Sequence, residues 1–354
     1  MFTPEQVKPF LLHPDALVSN GAIQYFAESY QYTDGIMELV LDKLRRTENP
    51  GSVYLHWAIH FPQSSQTVAE IVKLLLSDDL KDMQKDLLSQ ILLSSSPRLL
   101  EQVSSELEHL PEEIRTKAQV HMGIASLSAE ELTAAFEQML EASRGLDYGD
   151  LEYDYLDYLI TQMVQTGALA ELQVIGKLKD HNREDLEDYT TAYYAQAAGR
   201  MKLESAVPLL IEFLTSENDL LVEQSLDALV RIGGDEVIAR LTSRYEQEAD
   251  DYFKLYAAEA LGRMSASSAE SSLLQLLQKE RNLTHATKLA SGLCRLGSAQ
   301  SVPVVAKMIE MGFDDEYLDL REALYINCIM NQVEIPELSR WRKEIEHKDA
   351  RRHV

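Results

Sequence analysis

Few residues in this chain are spaced as chemistry would require. His56 and His60 stand four apart in His56-Trp57-Ala58-Ile59-His60, which puts two imidazoles one helical turn from each other, a spacing able to bind a metal. The zinc-hydrolase pattern places glutamate directly after its first histidine, and Trp57 holds that position. Only Glu70, on the next expected helix, is placed to act as a third ligand, so the pair reads as the flank of a packed helix and no metal site is expected. Cys294 and Cys328 have no framework spacing and read as free thiols of a reducing compartment, which points to the cytoplasm. Nucleophile elbow, phosphate loop and dinucleotide fingerprint are all absent from the sequence. Neither a catalytic residue nor a cofactor is expected.

The stronger pattern suits binding. Sixteen tyrosines accompany only 8 phenylalanines and 2 tryptophans, and seven of the tyrosines fall between 148 and 194. Aligning the chain with itself puts Tyr158, Tyr193, Gln224, Tyr256 and Lys288 in one column. Thr161, Gln196, Asp227, Glu259 and Ser291 lie one turn later, with Asp157 and Glu223 on the adjacent line and Tyr189 and Tyr252 one turn earlier. Tyrosine offers a large contact area at low entropy cost, and carboxylates steer and pair with lysine or arginine. The expected partner-binding set is therefore Asp157, Tyr158, Tyr189, Tyr193, Glu223, Asp227, Tyr252, Tyr256 and Glu259. Packing of the tyrosines between helices, with the acids merely solvated, accounts for the same columns.

Charge narrows the partner. The formal net charge is −25, and residues 101–190 hold 20 Asp and Glu against 6 Lys and Arg. Phosphate backbones and anionic membrane surfaces both call for clustered cations, so neither nucleic acid nor membrane is expected. A protein or peptide is, and a basic one is compatible with the charge. No apolar run approaches the ~18 residues of a membrane span, and the Met1-Phe2-Thr3-Pro4-Glu5 start has no signal-peptide character.

The elements that would carry these columns are helices. With 15 glycines and 10 prolines in 354 residues, the chain lacks the turn punctuation of a β protein. Arg200, Arg231, Arg263 and Arg295 recur at steps of 31, 32 and 32 residues, each followed by an apolar side chain. Pro208, Ala239, Ser271 and Pro303 form a later column, followed by Leu210, Leu241, Leu273 and Val305 and, one turn on, by Leu214, Tyr245, Leu277 and Ile309. Each unit is thus two short helices, too small to bury its apolar stripe alone and obliged to stack on its neighbours. Ala197, Ala228, Ala260 and Gly292 share a column, as a close approach of adjacent helices would demand.

These residues resemble HEAT repeats, in particular the HEAT-like repeats of phycobilisome lyases. Ala257-Ala258-Glu259-Ala260-Leu261-Gly262 is similar to that family's helix end, and Leu12-His13-Pro14-Asp15-Ala16-Leu17-Val18 to its inter-helix turn. The resemblance is strongest over 185–312. It implies an all-α solenoid in which the helix bearing the tyrosine and acid columns faces the concave groove. Weaker amphipathic pairs extend the array to about ten, at 14–29 with 33–46, 51–60 with 64–77, 81–95 with 97–108, 111–125 with 128–143 and 151–166 with 168–179. A single solenoid over 1–354 is expected, with a longer loop or sub-boundary at 143–150. The HEAT-like hydroxylases that bind iron use His-Glu pairs, and this chain has only the reversed Glu346-His347. The functional expectation is a non-catalytic scaffold or adaptor with an acidic, tyrosine-rich concave groove. The alternative is a lyase- or chaperone-type protein acting on a chromophore-bearing or other client. The basic tail from Arg340 to Arg352 reads as a polar cap on the array.

Overall fold

The computed structural model describes residues 1–46, 52–77, 79–183, 185 and 188–352, and for Ser52, Tyr148 and 349–352 the backbone alone. The expected helix start at 51 lies outside these residues. Twenty-two α-helices, three short 3-10 turns and no strand occur among the described residues. After an opening turn at Pro4–Val7 the helices follow one another in ten pairs, from Ala16–Ser29 and Ile36–Arg46 to Leu320–Asn331 and Leu338–Arg352. The second helix of the third pair is broken into Pro97–Glu101 and Ser104–Leu107. This all-α arrangement of neighbour-stacked pairs is that of an α-solenoid.

Local chemistry sets the helix starts. Asp15, Asp250, Asn282 and Asp319 each accept a backbone N–H of the following first turn, relieving donors that have no partner inside the helix. Ser128 and Glu131 do so reciprocally at the start of Ala129–Ser143. Stacking is closest where small residues were expected. A Cβ on Gly199 would lie 2.5 Å from Ala228 Cα, and one on Gly262 would lie 2.7 Å from Gly292 Cα. No side chain larger than hydrogen fits at either glycine without moving backbone.

The chain divides into two compact units. One comprises Tyr32–Leu209 and Ser216–Ala228, the other Met1–Gln31, Leu210–Thr215 and Leu229–Val354. Residues 143–150, where a longer loop or sub-boundary was expected, fall wholly inside the first of these, between the helices Ala129–Ser143 and Tyr153–Thr166. The amino-terminal segment belongs with the carboxyl-terminal helices. Helix Ala16–Ser29 packs against Asp251–Arg263 and Leu320–Asn331, more than 200 residues away in sequence. Phe2 seals the contact, its N–H donating to the Leu296 carbonyl at 2.8 Å and its ring lying against Gly297.

The tail belongs to that same unit and is more than a polar cap. Trp341 is buried with Cys294, Val305, Leu320, Leu324 and Cys328. Arg342 donates to Asp15 at 2.9 Å, and Lys348 reaches Asp319 at 3.2 Å.

Candidate protein-binding surfaces

The nine expected binding residues fall six in one unit and three in the other. In the unit containing Tyr32–Leu209, Tyr193 is only 3% exposed and meets the Phe136 ring edge-on at 6.2 Å. It is a core residue, which corrects its assignment to a groove. Its neighbour Tyr194 is also buried and meets the Phe136 ring edge-on at 5.9 Å. Tyr158 is half-buried and stacks on His121, ring centroids 3.7 Å apart and planes 6° from parallel. Burial, with Asp154 and Asp157 nearby, pushes its phenol well above the ordinary range. Tyr189 turns its hydroxyl to the Leu146 carbonyl at 2.9 Å, closing the loop after Ala129–Ser143. Asp157 accepts from Gln196 at 2.9 Å, so it ties two successive first helices together. Glu223 is exposed and Asp227 half-buried.

In the other unit Tyr252 stands 70% exposed and Tyr256 is half-buried. Glu259 is held within the array. It is paired with both Lys288 and Arg295, each less than a quarter exposed. Its place in the column marks an ion pair between successive repeats, a second correction to the expected strip. The residue spacing that defines a column says which helix face is shared; whether that face meets solvent or a neighbouring helix depends on contacts that the spacing does not encode.

His121 shows how that interior is built. Its Nδ1 lies 3.1 Å from the Leu93 carbonyl, so Nδ1 carries the proton and donates. Burial pulls the imidazole down to about 4, and it is neutral at physiological pH.

What single columns did not isolate is the exposed acidic character of the helices Glu112–Ile124, Ala129–Ser143 and Tyr153–Thr166. Glu112, Glu113, Glu130, Glu137, Glu141 and Asp154 are exposed there. The few cations are already taken. Arg115 pairs with Glu108 at 3.5 Å, Lys117 with Glu113 and Asp154 at 3.6 and 3.5 Å, and Arg144 with Asp185. The remaining carboxylates leave a surplus negative field. The signal for it was the uneven charge of 101–190 rather than any motif.

What the sequence missed is the work of the arginine register. Arg263 donates from Nε to the Glu28 carbonyl at 3.0 Å and from a terminal nitrogen to the Tyr30 hydroxyl at 3.3 Å. Arg295 pairs with the Glu28 carboxylate as well as with Glu259. Arg231 lies over the Tyr30 ring, its guanidinium carbon 3.6 Å from the ring centre. Three arginines of successive repeats therefore close on the carboxyl end of Ala16–Ser29, where the helix dipole favours cations. Desolvation pulls Arg295 down to about 10, which leaves it charged beside its two carboxylates.

The helix bearing His56 ends at Trp57, so His60 lies in the turn beyond it and the one-turn spacing of the pair is not realised. No group of three His, Cys, Asp or Glu side chains is placed to hold a metal among the described residues. No described helix is long and apolar enough to cross a membrane. Cys294 and Cys328 are free and buried, and burial pushes both thiols up.

Compared with known families, residues 177–262 match the model of HEAT repeats. The matched stretch overlaps the strongest part of the self-alignment, begins eight residues before it and stops at Gly262. It is a match to HEAT repeats in general and not to those of phycobilisome lyases. No curated protein matches the chain. HEAT repeats commonly mediate protein–protein contacts and are typically non-catalytic.

Proposed function

We propose that this HEAT-repeat protein is a binding scaffold that holds a basic protein or peptide on the acidic face of helices Glu112–Ile124, Ala129–Ser143 and Tyr153–Thr166. One observation carries the reading: the exposed carboxylates of these helices outnumber their cations, and Arg115, Lys117 and Arg144 are each already paired, with Glu108, with Glu113 and Asp154, and with Asp185. A field of one sign raises the encounter rate with an oppositely charged partner and rejects polyanions. Half-buried Tyr153, Tyr155 and Tyr158 on the third of these helices supply apolar contact beside the charge. Of the residues singled out in the sequence, Asp157 and Tyr158 belong to this surface. Glu223, Asp227, Tyr252 and Tyr256 remain candidates for additional contacts on their own helices.

Affinity capture with the full chain tests the proposal. Partner recovery should fall on raising salt from 50 to 300 mM, and fall at least tenfold when Glu130, Glu137 and Glu141 are all changed to lysine. Recovery that ignores both changes would place binding on another surface.

A further inference from the structure

We infer that residues 1–31 are a tethered, displaceable occupant of a helix-binding face on the carboxyl-terminal repeats. The partner that this face fits is an amphipathic helix with an acidic last turn and an aromatic residue just beyond it. The occupant itself defines that chemistry. Its helix ends at Ser29, Tyr30 turns into the left-handed region at φ 56°, and Glu28 and Tyr30 then meet Arg263, Arg295 and Arg231. The three arginines recur once per repeat, so the receptor is a property of the array. At the other end of the helix the N-cap Asp15 accepts from the Tyr325 hydroxyl at 2.9 Å and from Arg342.

Packing separates this contact from a fused core. A solvent-open pocket of about 240 Å³ lies between the segment and the repeats, lined by Gly21, Gln24 and Glu28 on one side and Arg263, Arg295 and Glu322 on the other. A space of that size and polarity holds several waters. Wet, charge-rich contacts of this kind are characteristic of exchangeable interfaces. The middle of the helix is also read sterically, since a Cβ on Gly21 would fall 2.6 Å from Ile326. A competing helix must therefore present a small residue about two turns before its acidic end.

The test uses the full chain and a fluorescent synthetic peptide of residues 1–31. Glu28→Arg with Tyr30→Ala weakens the tethered copy and leaves the receptor arginines intact. The peptide should bind this double variant at least tenfold more tightly than it binds the wild-type chain. Adding Arg263→Ala and Arg295→Ala should remove that gain. A folded double variant that ignores the peptide, or binding indifferent to the arginines, overturns the inference. Native-state hydrogen exchange on the unmodified chain gives a second reading that needs no variant. Amides of Ala16–Ser29 should exchange at least tenfold faster than those of Asp251–Arg263 and Leu283–Arg295. Equal protection would make the segment an integral part of the fold and contradict the proposal.

Discussion

The repeats from Thr190 onward and the helices from Glu112 to Lys179 use the same helical-pair plan under different constraints. In the former, Gly199 meets Ala228 and Gly262 meets Gly292 at backbone distance, and Glu259 is enclosed by Lys288 and Arg295. In the latter, Gly123 and Gly176 have open space where a Cβ would go, and the carboxylates face solvent. Backbone contact between repeats demands particular small residues at particular positions, and the demand leaves a period in the sequence. Where helices meet through larger side chains, many combinations fill the space and the period fades. The regular region is constrained by its own geometry. The irregular one leaves most of its carboxylates exposed.

The largest effect expected from this contrast is at Gly262. Gly262→Leu forces side-chain atoms into the Gly292 backbone and should cost about 3 kcal/mol or more. The same change at Gly123, where nothing lies within 4 Å, should cost far less in denaturant titration. Comparable losses at the two sites would remove the distinction.

The next effect is pH-dependent and sits in the irregular region. His121 is held neutral down to about 4 when folded, against an ordinary value of 6.5. As pH falls through 6.5 the unfolded chain takes up a proton that the folded chain refuses, so stability drops until the folded value is reached. Between pH 7 and pH 5 this amounts to about 2 kcal/mol, at roughly 1.4 kcal/mol per unit. Unfolding midpoints at those two pH values should show the loss, and His121→Phe should flatten it. An unchanged slope in the variant would assign the dependence to other groups.

Ion pairs should sort in the same way. Glu259→Ala leaves two poorly exposed cations short of a partner and should cost about 2 kcal/mol. Lys117→Gln, whose lysine and partners are well exposed, should cost at most about 0.5 kcal/mol. The smallest effect has the opposite sign. Gly176→Ala, inside a helix with room for the methyl, should stabilise by about 0.5 to 1 kcal/mol.

The helical-pair architecture and its close-packed column were legible because both repeat along the chain. The role of Arg231, Arg263 and Arg295 was not. Their register marked the repeat, but the group they hold, Glu28-Ser29-Tyr30, lies about 200 residues earlier and carries no periodic mark. Tyr193 misled for a related reason. Its column predicts a shared helix face, while the ring that buries it, Phe136, comes from a helix pair outside the regular array. Glu259 looked like part of a docking strip because an acid facing a partner and an acid facing the next repeat have the same sequence signature. The acidic surface of 112–166 was visible only as a charge imbalance; that Lys117 takes up Glu113 and Asp154 while Arg115 turns to Glu108 required coordinates.

The most direct test of the account is a hydrogen-exchange footprint of the full chain with and without a bound basic partner. Protection is expected over Glu112–Ile124, Ala129–Ser143 and Tyr153–Thr166, and it should weaken as salt rises. A footprint confined to the repeats beyond Asp251, with these three helices unaffected, would contradict it.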